Sequence, residues 1–154
     1  MLATHEAQNL KIQFEIEIEA PPDKVWAKLA TLEGMNEWFS RTLVFEHEVG
    51  GRFSMEGVMD GPYKFAGEVV RIEPEKELAF TWRSELGEDG VWDAYTLVSF
   101  QLEPSANGTR VSLTHSGFEV LGAESGKAAY EGHIQGWTAS APLDSLKEAV
   151  EAQS

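Results

Sequence analysis

The sequence predicts an α+β fold: an antiparallel sheet of about seven strands, two short helices after the first strand, and a long C-terminal helix. Three observations carry this. Near the start, apolar and polar residues alternate strictly, with Ile12, Phe14, Ile16 and Ile18 on one face and Gln13, Glu15, Glu17 and Glu19 on the other. Beyond Arg41 the period stays at two through six segments separated by turn-forming clusters. From about Glu124 the composition becomes helical, with large apolar residues spaced by three and four.

The first strand ends at Ala20-Pro21-Pro22. Pro22 keeps Pro21 out of helical angles but suits the first helical position, and Asp23 favours the positive end of the dipole, so a helix is predicted from Pro22. Val25, Trp26 and Leu29 mark its buried side, and Gly34 separates it from a second short helix with Met35, Trp38 and Phe39. Strands are then predicted near Leu43 to Val49, Arg52 to Met59, Tyr63 to Glu73, Glu77 to Ser84, Val91 to Glu103 and Thr109 to His115. Between them stand Gly50-Gly51, Asp60-Gly61-Pro62, Pro74-Glu75, Gly87 to Gly90 and Ser105 to Gly108, which read as turns of a meander.

In the terminal segment Tyr130, Ile134, Trp137 and Ala141 form one row, and Leu143, Leu146 and Val150 another. At about 100° per residue these rows point to nearly opposite sides of one ideal helix. Pro142 lacks an N–H and clashes with the carbonyl four residues back, so a kink or break is predicted within Ser140 to Pro142.

The 154 residues predict one domain, 1–154, with its core over about 12–150. The net charge of -14 repels phosphate backbones, and no basic patch offsets it, so nucleic acid is not an expected partner. The longest apolar runs are too short to span a membrane, and the N-terminal stretch lacks the basic and apolar regions of a secretory signal. With zero cysteines there is no disulfide, thiolate nucleophile or Cys-ligated metal, and a cytoplasmic location is expected.

Seven segments, in order, resemble the helix-grip fold of the START and birch-pollen-allergen (SRPBCC) superfamily, and within it the family of the activator of the ninety-kilodalton heat-shock chaperone's ATPase. They are "IEIEAPPDKVWAKL" (Ile16 to Leu29), "EWF" (Glu37 to Phe39), "VGGRFSM" (Val49 to Met55), "GEVVRIEPEKELAFTW" (Gly67 to Trp82), "TLVSFQLEPSANGTRVSLTHSGF" (Thr96 to Phe118), "GW" (Gly136, Trp137) and "LDSL" (Leu143 to Leu146). The resemblance implies a curved sheet wrapped around the terminal helix, with a space between them for a small molecule. Against the family pattern, Ala141-Pro142 looks like a two-residue insertion, which turns the downstream helix by roughly 200°.

The lining expected from alternation is Phe53, Met55, Tyr63, Phe65, Trp82, Trp92 and Phe100 from the sheet, Trp38 from a short helix, and His133, Ile134 and Trp137 from the long one. Solid core packing is the competing account of these rings. Gly57, Gly67, Gly132, Gly136 and Ala94 lie among them and remove volume.

The four histidines show no ligand-pair spacing, so no metal is expected. His5 lies in the tail, His47 beside Phe45 and Val49, and His115 reads as a hydrogen-bonded residue at a strand end; His133 is placed at the cavity mouth as a titratable group. No G-x-S-x-G elbow is present, and "GAESGKA" (Gly122 to Ala128) has the wrong spacing and lacks the hydroxyl of a phosphate loop.

The leading expectation is therefore non-catalytic binding of a small hydrophobic or amphipathic ligand without a cofactor. A protein-interaction module related to chaperone activators is the alternative, and a cyclase- or hydrolase-like enzyme, using residues such as Glu56, Glu68, Arg83, Asp93 or Tyr95, is a further one. Monomer and homodimer both stay open.

Overall fold

The computed structural model describes residues 10–39, 41–58, 61–87 and 90–152. His5, Met59 and Asp60 fall outside them. The chain runs β1 (Lys11–Ile18), α1 (Pro22–Leu29), α2 (Leu32–Trp38), β2 (Arg41–Phe45), β3 (Arg52–Val58), β4 (Pro62–Glu73), β5 (Glu77–Leu86), β6 (Thr96–Ser105), β7 (Gly108–Ser116), a 3-10 turn (Phe118–Leu121), α3 (Ala123–Ser140) and α4 (Pro142–Glu151). This is the α+β helix-grip arrangement.

Among the described residues the seven strands form one antiparallel sheet in the order β1-β7-β6-β5-β4-β3-β2. The meander closes at one edge with β1, which pairs residue for residue with β7 from Lys11↔Ser116 to Ile18↔Thr109. Register shifts along β4 at Lys64/Phe65 and Val69/Arg71 bend the sheet. At the bend Thr81 Oγ1 accepts the Glu68 N–H at 2.8 Å, and a Cβ on Gly67 would lie 1.8 Å from the Thr81 carbonyl oxygen. Only glycine permits that approach.

α1 begins at Pro22 after an extended Pro21, as the double proline predicts. α2 is capped by Thr31, whose hydroxyl accepts the Gly34 N–H at 2.9 Å, and is tied to α1 by Trp38 Nε1 donating to the Lys28 carbonyl at 2.9 Å.

The terminal helix breaks where the phase of its apolar residues changes. Ala141 adopts a left-handed conformation (φ 45, ψ 57), and its N–H closes α3 on the Trp137 carbonyl at 2.9 Å. Pro142 then opens α4 at the first helical position. α3 buries Gly126, Ala129, His133 and Trp137; α4 buries Pro142, Leu143, Leu146 and Val150 and packs against α1, α2 and β1.

Three expectations need correction. β2 stops at Phe45 rather than reaching Val49, because the chain turns: Glu46 N–H donates to the Arg52 carbonyl, and Gly50 N–H to Val69, leaving His47 and Val49 exposed. β6 starts at Thr96 rather than Val91, because Trp92 N–H donates to the Ser84 carbonyl and Ser84 Oγ to that of Gly90, folding 90–95 into a loop. The most buried row of α3 runs through Ala129, His133 and Trp137, while Tyr130 and Ile134 are only half-buried.

Candidate functional site

The concave face of the sheet carries a column of aromatic rings. Phe53 stacks on Phe80 with centroids 4.2 Å apart, Trp82 lies 6.1 Å from Phe53, and Phe65 stacks on Trp82 at 4.4 Å. Alternation puts Phe80 and Trp82 on one face of β5, and β3 and β4 bring Phe53 and Phe65 beside them. Phe100 meets Trp38 edge-on at 5.5 Å, and Trp92 lies 6.2 Å from Phe65. Phe53, Met55, Trp82, Trp92, Phe100, Trp38 and Trp137 are buried, whereas Tyr63, Phe65 and Ile134 are half-buried at one end of the column.

Of the small residues expected to leave space, Gly57 lies under the Tyr63 ring, 2.4 Å from the hydroxyl to a built Cβ, and Gly67 is covered by Thr81 backbone. A Cβ on Gly132 or Gly136 would meet open space.

Two buried histidines sit where α3 meets this column. His115, 0% exposed, is next to last in β7 and shares an inward face with Val111 and Leu113. His133 is buried too, four residues before Trp137, so both side chains of α3 point to the sheet. The imidazole centroids are 5.0 Å apart.

Two hydrogen-bond chains that share Trp82 run through them, and the indole at the head of each sets the direction of its links. An indole N–H can only donate. Trp137 Nε1 therefore donates to His115 Nδ1 at 3.1 Å, which leaves the proton on Nε2, facing Thr96 Oγ1 at 2.7 Å; Thr96 in turn donates to the Trp82 carbonyl at 3.0 Å. Trp82 Nε1 donates to His133 Nε2 at 3.1 Å, and the proton on His133 Nδ1 goes to the Ala129 carbonyl at 2.9 Å. Both imidazoles are thus held neutral, each in one tautomer. Burial, and then the neighbouring His133, pushes His115 well below the usual histidine range.

The sequence places His133 at the mouth of a space; the structure buries it among Phe65, Trp82, Trp92 and Phe118 instead. Thr96, His115, Phe118 and Phe39, which stacks on Trp137 at 6.1 Å, belong to the same cluster and were not among the expected lining residues. A signal for His115 existed: it shares the strand face of Val111 and Leu113.

The residues considered for catalysis lie elsewhere. Arg83 pairs with Glu85 at 2.8 Å and covers the Tyr95 ring at 4.9 Å, pointing opposite to its buried neighbours Trp82 and Ser84. Glu56 is half-buried across from Arg41, and Glu68 and Asp93 are exposed. Among the described residues no group of three or more His, Asp or Glu could hold a metal, and no helix is long and apolar enough to cross a membrane.

A family model described as activator of Hsp90 ATPase homolog 1-like protein matches residues 19–151. A protein from Mesorhizobium loti is similar in structure, with 27% identity, a TM-score of 0.74, and coverage of 94% of this chain and 98% of its own. The Aha1 dimer from Colwellia psychrerythraea, solved in solution, gives 27% identity, a TM-score of 0.65, and coverage of 92% and 96% respectively. A Chromobacterium violaceum protein at 20% identity shares the fold, with a TM-score of 0.68 over 92% of this chain and 97% of that one. No curated protein matches the chain.

Proposed function

Since the chain belongs to the family of activator of Hsp90 ATPase homolog 1-like proteins, we propose that it binds a small hydrophobic or amphipathic molecule, without chemical conversion, between the sheet and α3. The observation that carries this reading is how the aromatic column ends. The column runs out toward solvent through half-buried Phe65 and Tyr63, with Ile134 and Tyr130 of α3 also half-buried. Such concave, mostly apolar walls with few polar groups suit a small ligand. Because the rings stack on one another, the guest takes the place of Phe65 and Tyr63 rather than filling a void.

The test is a thermal-shift screen with Nile red and a library of lipids, polyketides and aromatic compounds. A ligand selective for the folded state raises Tm with concentration, and ten times its Kd adds about 1.4 kcal/mol. Nile red emission shifts to the blue on binding, and Phe65→Ala, which vacates the space the guest takes, raises its affinity. No Tm rise across the library and no emission change overturn the reading.

A second reading, a chaperone-binding module, is favoured by the family match and by the Aha1 neighbour at 27% identity. It acts through the outer surface, so Phe65→Ala leaves it intact. Absence of binding to the host's ninety-kilodalton chaperone at micromolar concentration retires it.

A further inference from the structure

We propose that the Trp137–His115 pair forms an acid-released latch: protonation of His115 detaches α3 from the sheet while the sheet itself stays folded.

The geometry of the bonds carries the argument. Each neutral imidazole offers one lone pair, and each lone pair is taken by an indole N–H at 3.1 Å. An imidazolium carries N–H on both nitrogens. Protonated His115 keeps its donation to Thr96 Oγ1, but its Nδ1–H then faces the Trp137 N–H. Turning the His115 ring does not help, since Trp137 can only donate. The added charge is also buried, with the second imidazole 5.0 Å away.

The surroundings supply no remedy for His115. It faces Trp82 from β5, Thr96 from β6, Phe118 from the 3-10 turn, and His133 and Trp137 from α3. Among the described residues the ionisable group acting on it is His133. His133 faces Phe65 from β4, Trp82 from β5, Trp92 from the loop before β6, His115 from β7 and Phe118. Tyr63 and Tyr130 stand one ring further out, against Phe65 and Phe118.

α3 is built to be the part that moves. Of its four buried residues, Gly126 and Ala129 are small, so His133 and Trp137 are its large fully buried side chains, with Tyr130 and Ile134 half-buried beside them. Sharp turns bound it: Gly117 and Gly122 have φ of 90 and 96 before it, and Ala141 has φ 45 after it. α4 keeps separate anchors in Leu143, Leu146 and Val150. Release of α3 exposes Phe65, Trp82 and Trp92. That acid thereby opens the ligand space rests on the binding reading above; the latch does not.

The experiment is hydrogen–deuterium exchange on the full chain between pH 7.5 and 4.5, corrected for intrinsic rates, with Nile red uptake measured in parallel. Below about pH 6.5 the opening constant of the α3 amides rises about tenfold per pH unit, while β6 and β7 amides stay protected. His115→Gln, whose amide can accept from the indole and donate onward, reduces that slope. Equal opening free energies for α3 and sheet amides, which would mean that both exchange by global unfolding, or no pH dependence in α3, overturns the latch, and both are read on the wild-type chain should a variant fail to fold. Release of α3 without dye uptake supports the latch and counts against the binding reading.

Discussion

Lys147 Nζ donates to the backbone carbonyl of Glu17 at 2.9 Å, joining α4 to the outer edge of β1. Glu151 completes the seam by accepting the Glu19 N–H at 2.9 Å and the Lys147 ammonium at 2.6 Å. The Lys147 bond, and after it the Glu19 N–H, holds the Glu151 carboxyl below the usual range. An open strand edge is a template for unwanted pairing, and here the displaced helix covers the end of it. The break at Ala141 brings α4 to this position.

Leu146→Ala, at a fully buried site of α4, is expected to cost about 2–5 kcal/mol in denaturant unfolding. Lys147→Ala should move the midpoint far less, since its bond to Glu17 is exposed and its bond to Glu151 only part-buried. Equal effects would mean that the edge bonds, and not the apolar row, hold α4.

Ala141→Gly is expected to stabilise the chain by up to about 1 kcal/mol, because φ 45 is costly for a residue with a Cβ and free for glycine. A drop in Tm would show that the unfolded-state entropy of glycine outweighs the relieved strain.

Global stability should fall with acid in a window set by His115. Its folded-state pKa lies below the usual 6.5, so the unfolded chain binds the proton first; the stability it contributes is fully present above about pH 6.5 and is lost as the pH drops toward the folded value. The expected slope is about 1.4 kcal/mol per pH unit. Urea melts of wild type and His115→Gln between pH 7.5 and 5 measure it, and parallel curves would exclude His115 as the source.

Trp137→Phe removes the donor to His115 Nδ1 and leaves a buried acceptor unmet, for an expected cost of about 1–3 kcal/mol besides the lost volume. Part of that loss should be absent when the same change is made in His115→Phe, a double-mutant cycle read by urea melts.

Gly67→Ala and Gly57→Ala should differ sharply. The first forces a Cβ into the Thr81 backbone and is expected to cost about 3 kcal/mol or more. The second meets the end of the Tyr63 ring, which can swing away, so the cost should stay below about 1.5 kcal/mol. Thermal unfolding of the two variants provides the comparison.

What the sequence determined by itself was everything set by near neighbours. Alternation from Ile12 to Ile18 made β1 a strand with one buried face, the double proline started α1 at Pro22, and the phase jump with Pro142 placed the helix break. Those signals act over a few residues, where backbone sterics and periodicity decide. Val49 and Trp92 were misplaced because short apolar stretches alternate in loops as well as in strands; only hydrogen bonds to Val69 and Ser84, distant in sequence, turned the chain there. The site lay further still beyond local reading. Trp82 and His133 are 51 positions apart, and Trp137 and His115 are 22 apart. Periodicity can turn each side chain inward, but which donor meets which lone pair depends on the sheet's bend and the angle at which α3 crosses it, so that decision belonged to the tertiary structure alone.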